Sequence, residues 1–386
     1  MSRKGHNNVM KPYLKRAWAE ISLENLSNNI NEIKKILGDR KTEIMAVVKA
    51  DAYGHGEDQV CRCLWDNGVI YFAVSNLDEA IAVRKSCSEA EILILGYTPP
   101  EYAQTLADEN IIQGIVSSEY AAELSKFTSK PVRCHVKIDT GMGRIGLKFD
   151  SPEQCAAEVA VIAKNPKLCV EGIYTHFAVA DCDDAESVSY TDKQEKFILD
   201  TYDILCKNGL KLRHVHFMNS AATYSRTNGR STLARAGIIM YGLHPNYPMP
   251  IPDGFKPVMA LKAVISHVKT VPSGSSISYG RTFTAESEMR IATVTIGYAD
   301  GYSRQLSSKG EILVHGQRCR IVGRVCMDQL MIDVTNVDAK PGDIVTLIGK
   351  DGDDEITADE LASIYGTIGY EVVCGISKRV PRIFEA

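Results

Sequence analysis

Lys49 ends a continuous apolar run over residues 44–48 and is followed by Ala50-Asp51-Ala52-Tyr53-Gly54-His55-Gly56. A run that short and that apolar reads as a strand buried on both faces. An ammonium in the mouth of such a strand is poorly solvated, which lowers its pKa. The amine then serves as a base or a nucleophile. A lysine that snorkels out of the strand end is the bland alternative. Four other strand ends carry polar groups that a buried core would not choose. They are Asp139 to Arg144, just past Lys137; His176; Asn219 with Ser220; and Arg235 with Gly237. Five such ends on one rim point to a site, whereas any one of them could be structural.

The elements that must position these groups alternate. Strands are expected over 44–48, 70–74, 91–95, 111–116, 132–138, 170–174, 215–218 and 236–240. Helical patterns fill most gaps, for example 28–37, 59–65, 77–85, 101–107, 119–127 and 190–207. This alternation predicts a parallel sheet, and eight units predict a closed (β/α)8 barrel of the TIM type. In such a barrel the carboxyl ends of the strands face the active site. A doubly wound open sheet is the other arrangement, but no Gly-rich dinucleotide turn follows the first strand.

The texture changes after Pro245. Residues 246–257 are proline-rich and aperiodic, and read as a linker. Short strands punctuated by turns follow over 258–271, 289–296, 311–314, 319–325, 330–334 and 344–348. A helix over 358–365 is expected behind a Thr357 cap, with Glu360 three residues on. The expected organisation is therefore a flexible extension over 1–13, an α/β barrel over 14–245 and a mostly antiparallel β domain over 246–386.

Composition excludes several classes. The net charge of −4 gives no basic footprint for nucleic acid, and no apolar run is long enough to span a membrane. The basic, polar start lacks the apolar stretch of a secretory signal. The 11 cysteines are scattered, and the close pair Cys61-Arg62-Cys63 suits neither a metal nor a redox motif. Reduced thiols and a cytoplasmic location are the expectation, with no metal.

The stretch Ala46-Val47-Val48-Lys49-Ala50-Asp51-Ala52-Tyr53-Gly54-His55-Gly56 resembles the cofactor-lysine motif of the alanine racemases, enzymes that use pyridoxal 5'-phosphate. The resemblance continues in order from about Trp18 to Phe384. It includes Lys137-Ile138-Asp139-Thr140-Gly141-Met142-Gly143-Arg144, Ser278-Tyr279-Gly280-Arg281-Thr282 and Gly323-Arg324-Val325-Cys326-Met327-Asp328-Gln329. By resemblance, Lys49 carries the cofactor and Tyr279 is a second base, supplied by the partner subunit of a homodimer. Arg144 contacts the cofactor's phenolic oxygen, and Lys137 is a candidate for carbamylation beside it. His176 stacks on the ring and Arg235 faces its nitrogen, with His216 behind. Tyr53, Asn219, Ser220, Gly237 and Ile238 belong to the cofactor site, chiefly at the phosphate. Arg144 and Met327 serve the substrate, the latter through its backbone N–H. Asp181, Tyr298 and Arg304 line the entrance.

One position departs from some members. Lys378 stands where others have a tyrosine near the phosphate, which leaves the side-chain preference open. The resemblance implies two-base proton transfer between L- and D-alanine on pyridoxal phosphate, feeding peptidoglycan. A serine or broad-specificity racemase, a basic amino-acid decarboxylase and a non-catalytic pyridoxal-phosphate carrier are the other readings. The decarboxylase would need a carboxylate at Arg235. The carrier would lack the β domain.

Overall fold

The structure is a computed structural model that describes residues 16–226 and 229–385. The extension expected over 1–13 lies outside them. Two compact units are present. One holds Ser22–Val258 with Ile368–Cys374, the other Met259–Thr367 with Gly375–Ile383 and residues 16–21.

In the first unit eight parallel strands lie side by side: Glu43–Val47, Tyr71–Val74, Glu91–Ile94, Ile111–Ile115, Val132–Lys137, Leu168–Tyr174, His214–His216 and Leu233–Ala236. The first pairs with the second (Val47 beside Ala73) and with the last (Met45 beside Arg235). A parallel bridge between Met218 and Ala234 completes the ring. This is the (β/α)8 barrel that the alternation predicts. Helix starts follow local chemistry. Ser22, Asn76, Ser117, Ser151, Asp184 and Asn219 each cap a helix by accepting a backbone N–H of its first turn.

The eighth strand corrects the expectation. The strand is Leu233–Ala236, and residues expected as strand over 236–240 instead turn at Gly237 into the 3-10 segment Ile238–Tyr241. A short apolar run buried on all sides fits either conformation, and periodicity cannot separate them. The barrel interior is also less apolar than usual. His135 and Lys137 lie two apart on one strand, as do His214 and His216 on another, so each pair points to the same side.

The second unit is built on the long strand Met259–Val271. It pairs antiparallel with Met289–Val294 and Ile344–Asp351, and with Ala17–Ser22 in the register Ala17 to Ala263. Residues 17–21 therefore belong to the β unit, not to the barrel as the expected bounds have it. Ile368–Cys374 returns to the barrel unit. A tight hairpin joins Glu311–Val314 to Gln317–Arg320 through His315 (φ 50°) and Gly316 (φ 74°). Positive φ at both central residues matches the twist of the strands. Ala358–Tyr365 is capped by Thr357, whose hydroxyl accepts the Glu360 N–H at 2.9 Å. The Glu360 carboxylate takes the Arg318 guanidinium at 2.6 Å.

Candidate active site

The carboxyl ends of the barrel strands open on a cavity of about 650 Å³. Its walls bring together Lys49, Tyr53, Lys137, Arg144, His176, Asp181, Asn219, Ser220, Arg235 and Gly237, all named above from the sequence.

Lys49 stands at the head of an unusual turn. Ala50, Asp51, Ala52 and Tyr53 all have φ between 52° and 55°, a left-handed helical turn without a glycine. Each such residue costs about 1–2 kcal/mol against the right-handed form, so the surroundings must hold it. Ala52 N–H donates to Val48 O (2.9 Å), Glu57 N–H to Asp51 Oδ1 (2.8 Å) and Ala50 N–H to Glu79 Oε1 (2.8 Å). Gly54 follows with φ 79°, and a Cβ there would meet Val373 O at 2.4 Å, so only glycine fits. Burial, then the Arg144 charge, pull the Lys49 amine below the usual lysine range, while Glu79 and Cys374 oppose them.

Three polar groups converge at one end of the cavity. Gly237 N–H donates to Ser220 Oγ at 2.9 Å, and a Cβ on Gly237 would sit 2.8 Å from Tyr53 Oη. The missing Cβ leaves a cradle of two hydroxyls and an amide, suited to an anion. Asn219 fixes this corner by capping Ser220–Ser225 through Ala222 N–H at 2.9 Å. Burial pushes the Tyr53 phenol up, so it remains a donor. Ile238, the first residue of the next turn, is buried.

Arg235 is 3% exposed and hydrogen-bonded through both terminal nitrogens. It donates to Thr175 O (2.7 Å), His216 Nδ1 (3.0 Å) and His176 Nδ1 (3.2 Å). A guanidinium only donates, so both imidazoles accept at Nδ1 and carry their proton at Nε2. His216 passes that proton's hydrogen bond to His135 Nδ1 at 2.9 Å. Burial draws Arg235 down to about 10. Burial, reinforced by the Arg235 charge, holds His176 and His216 well below the usual histidine range and neutral.

Lys137 is 3% exposed, and its Nζ has no hydrogen-bond partner. It lies 5.1 Å above the Tyr174 ring. Burial and the Arg235 and Arg144 charges hold it well below the usual lysine range. The loop that follows is pinned by Asp139 Oδ1, which accepts N–H bonds from Gly141 and Gly143, both at 3.0 Å. Arg144 is exposed beyond it.

The remaining named residues sit on the β unit. Tyr279 opens the turn Tyr279–Arg281 behind Ser278 (φ 71°), whose hydroxyl accepts Arg324 N–H at 2.9 Å. Tyr298 N–H donates to Cys326 O, and Ala299 N–H to Met327 O, both at 3.0 Å. Ser377 N–H, next to Lys378, donates to Asp300 O at 3.0 Å. Arg304 begins the turn Arg304–Leu306. Among the described residues, no group of three or more His, Cys, Asp or Glu could hold a metal ion, and no helix is long and apolar enough to cross a membrane.

Two residues escaped the sequence reading. Tyr370, on Gly369–Gly375, lines the cavity with its ring 6.1 Å from that of Tyr53. No local signal separates it from an ordinary surface tyrosine. Glu79 sits in the helix Leu77–Ser86 with nothing in the sequence to mark it, and only the fold shows what its carboxylate reaches.

The profile described as "Alanine racemase, N-terminal domain" matches residues 21–245, and "Alanine racemase, C-terminal domain" matches 258–384. The chain is 40% identical over 382 residues to the alanine racemase of Clostridium novyi, covering 97% of each. It is 43% identical over 383 residues to that of Clostridium tetani, again covering 97% of each. The crystal structure of alanine racemase from Bacillus anthracis with bound L-Ala-P superposes with a TM-score of 0.90 at 38% identity, over 97% of this chain and 96% of that one.

A parallel barrel with a cation-lined cavity, followed by a separate antiparallel β unit, defines a two-part class of barrel proteins. Within that class, this chain belongs to the alanine racemase family.

Proposed function

We propose that this protein interconverts L- and D-alanine, using pyridoxal 5'-phosphate and two bases that flank the α-carbon. The observation that carries the proposal is Lys49: an amine of lowered pKa facing a cavity that also holds an anion cradle. The residues fit the cofactor. Tyr53, Ser220 and the Gly237 and Ile238 N–H groups would hold its phosphate, with Asn219 bracing that corner. His176 would flank the ring. When bound, pyridoxal phosphate draws electron density away from the Cα–H bond of an attached amino acid.

Arg235 would face the ring nitrogen, with His216 holding it in place. Because it cannot give up a proton, it would keep that nitrogen unprotonated and the electron sink weak. That favours proton exchange at Cα over side reactions. Lys49 would serve one face of Cα. Tyr279 of a second copy of this chain would serve the other, which implies a homodimer.

The unpartnered Lys137 amine suits carbamylation: its nitrogen bonds the carbon of CO2 and a proton leaves. The resulting anion would complement Arg144, which would reach the cofactor's phenolic oxygen. Arg144 and the Met327 N–H would bind the substrate carboxylate. Asp181, Tyr298, Arg304 and Lys378 would shape the approach. In a bacterial cytoplasm, the product D-alanine would feed peptidoglycan. A racemisation assay on a panel of L-amino acids tests the reading. Alanine as the fastest substrate supports it; serine at equal or higher kcat/KM would contradict the substrate assignment.

A further inference from the structure

We propose that Glu79 is a positioning residue: its carboxylate clamps the left-handed turn headed by Lys49 to the end of the neighbouring barrel strand. The inference rests on the reading of Lys49 as the cofactor-bearing base.

One carboxylate makes three bonds here. Oε1 accepts the Ala50 N–H at 2.8 Å, and Oε2 accepts the Ser75 N–H at 2.8 Å and the Ser75 hydroxyl at 3.0 Å. Ala50 follows Lys49 directly and is the first of the four left-handed residues. Ser75 directly follows the strand Tyr71–Val74 and lines the cavity. That strand is the neighbour of the one that delivers Lys49, and Val48 N–H donates to Ala73 O at 3.0 Å. Glu79 therefore ties the strained turn to the nearest rigid element. Glu79 is itself fixed, because Asn76 Oδ1 caps its N–H at 3.0 Å in the first turn of Leu77–Ser86. A solvated glutamate on a helix face would not be spent on two backbone amides and a hydroxyl.

The clamp also places a negative charge toward Lys49. The charges that reach the amine are Arg144, which lowers its pKa, and Glu79 and Cys374, which raise it. Lys137, His176, Arg235, Tyr53 and Glu371 line the same cavity. With Glu79 neutralised, burial and Arg144 act with less opposition, so the amine loses its proton at lower pH.

The test is competitive acetylation of Lys49 as a function of pH, read by mass spectrometry on the full chain without cofactor. Racemase kinetics on the loaded enzyme run alongside. In Glu79→Gln the labelling midpoint should move down by roughly half a pH unit or more, and kcat should fall about tenfold with KM little changed. Glu79→Asp keeps the charge but is too short to bridge both amides. Its midpoint should stay with the parent while kcat still falls about tenfold. An unmoved midpoint in folded Glu79→Gln overturns the proposal, as does kcat within about twofold of the parent in Glu79→Asp. Should Glu79→Gln fail to fold, Glu79→Asp decides alone. Failure of the underlying reading looks different, because it shows in the parent. There, pyridoxal phosphate would not protect Lys49 from acetylation.

Discussion

The barrel cavity and the turns of the β unit carry chemistry in opposite ways. In the barrel, Arg235 and the turn that follows Lys49 are held by hydrogen bonds of the chain itself. Arg235 is buried and donates to Thr175, His176, His216 and Phe217, and the Lys49 turn is clamped by Glu79. In the β unit, Tyr279 exposes 70% of its surface and Met327 exposes 53%. Burial in the barrel shifts pKa values and selects tautomers; exposure leaves the β-unit side chains to be ordered by whatever covers them. On the proposed reading, the barrel groups are preorganised, whereas Tyr279 would be ordered by a second copy of the chain.

The largest effect should come from the barrel. Lys49→Ala removes both the cofactor anchor and one base, and racemase activity should fall by about four decades or more. The purified protein should also lose the near-violet absorbance of the bound cofactor. An unchanged spectrum would remove Lys49 from the site.

Arg235→Glu should act next. It replaces a group that only donates with one that accepts and protonates. Racemisation should slow by about one to two decades, and pyruvate should accumulate from alanine as transamination appears. Normal racemisation without pyruvate would mean that Arg235 does not face the ring nitrogen.

The smallest effect sharpens the contrast between the units. Buried His135 and His216 are held well below the usual histidine range by burial and by neighbouring positive charge. Burial likewise pulls His214 down to about 4. Their folded pKa values lie below the unfolded value, so their contribution is full above about pH 6.5. Below that, the unfolded chain takes up protons that the folded chain refuses. The three histidines should therefore withdraw stability together as pH falls further. His267 and His315 of the β unit are exposed. Between pH 6.5 and 5, hydrogen-exchange protection corrected for the intrinsic rate should therefore drop first in the barrel strands; an equal drop in Met259–Val271 would contradict this.

Much of this was legible in the sequence, for identifiable reasons. Lys49, His176 and Arg235 follow or end apolar strands, where a polar residue stands out. The barrel followed from alternation alone. The eighth strand was misplaced because Ile238-Ile239-Met240 is apolar in either conformation. The left-handed turn was invisible because Ala50-Asp51-Ala52-Tyr53 contains no glycine to announce it, and its support comes from tertiary partners such as Glu79. Tyr370 reaches the cavity from a segment after most of the β unit, a placement that no local pattern encodes. Tyr279 could be named only through family resemblance, since an exposed turn tyrosine has no signature of its own.

The central claim is that one site takes its two bases from two copies of the chain. Lys49→Ala and Tyr279→Ala chains should each be nearly inactive alone, the latter down by about two or more decades. In a two-fold dimer, an equal mixture under exchange conditions should form heterodimers with one intact site, restoring about a quarter of parental activity. Recovery near that level is the predicted result. No recovery, with subunit exchange verified by native mass spectrometry, would contradict the account and return both bases to a single chain.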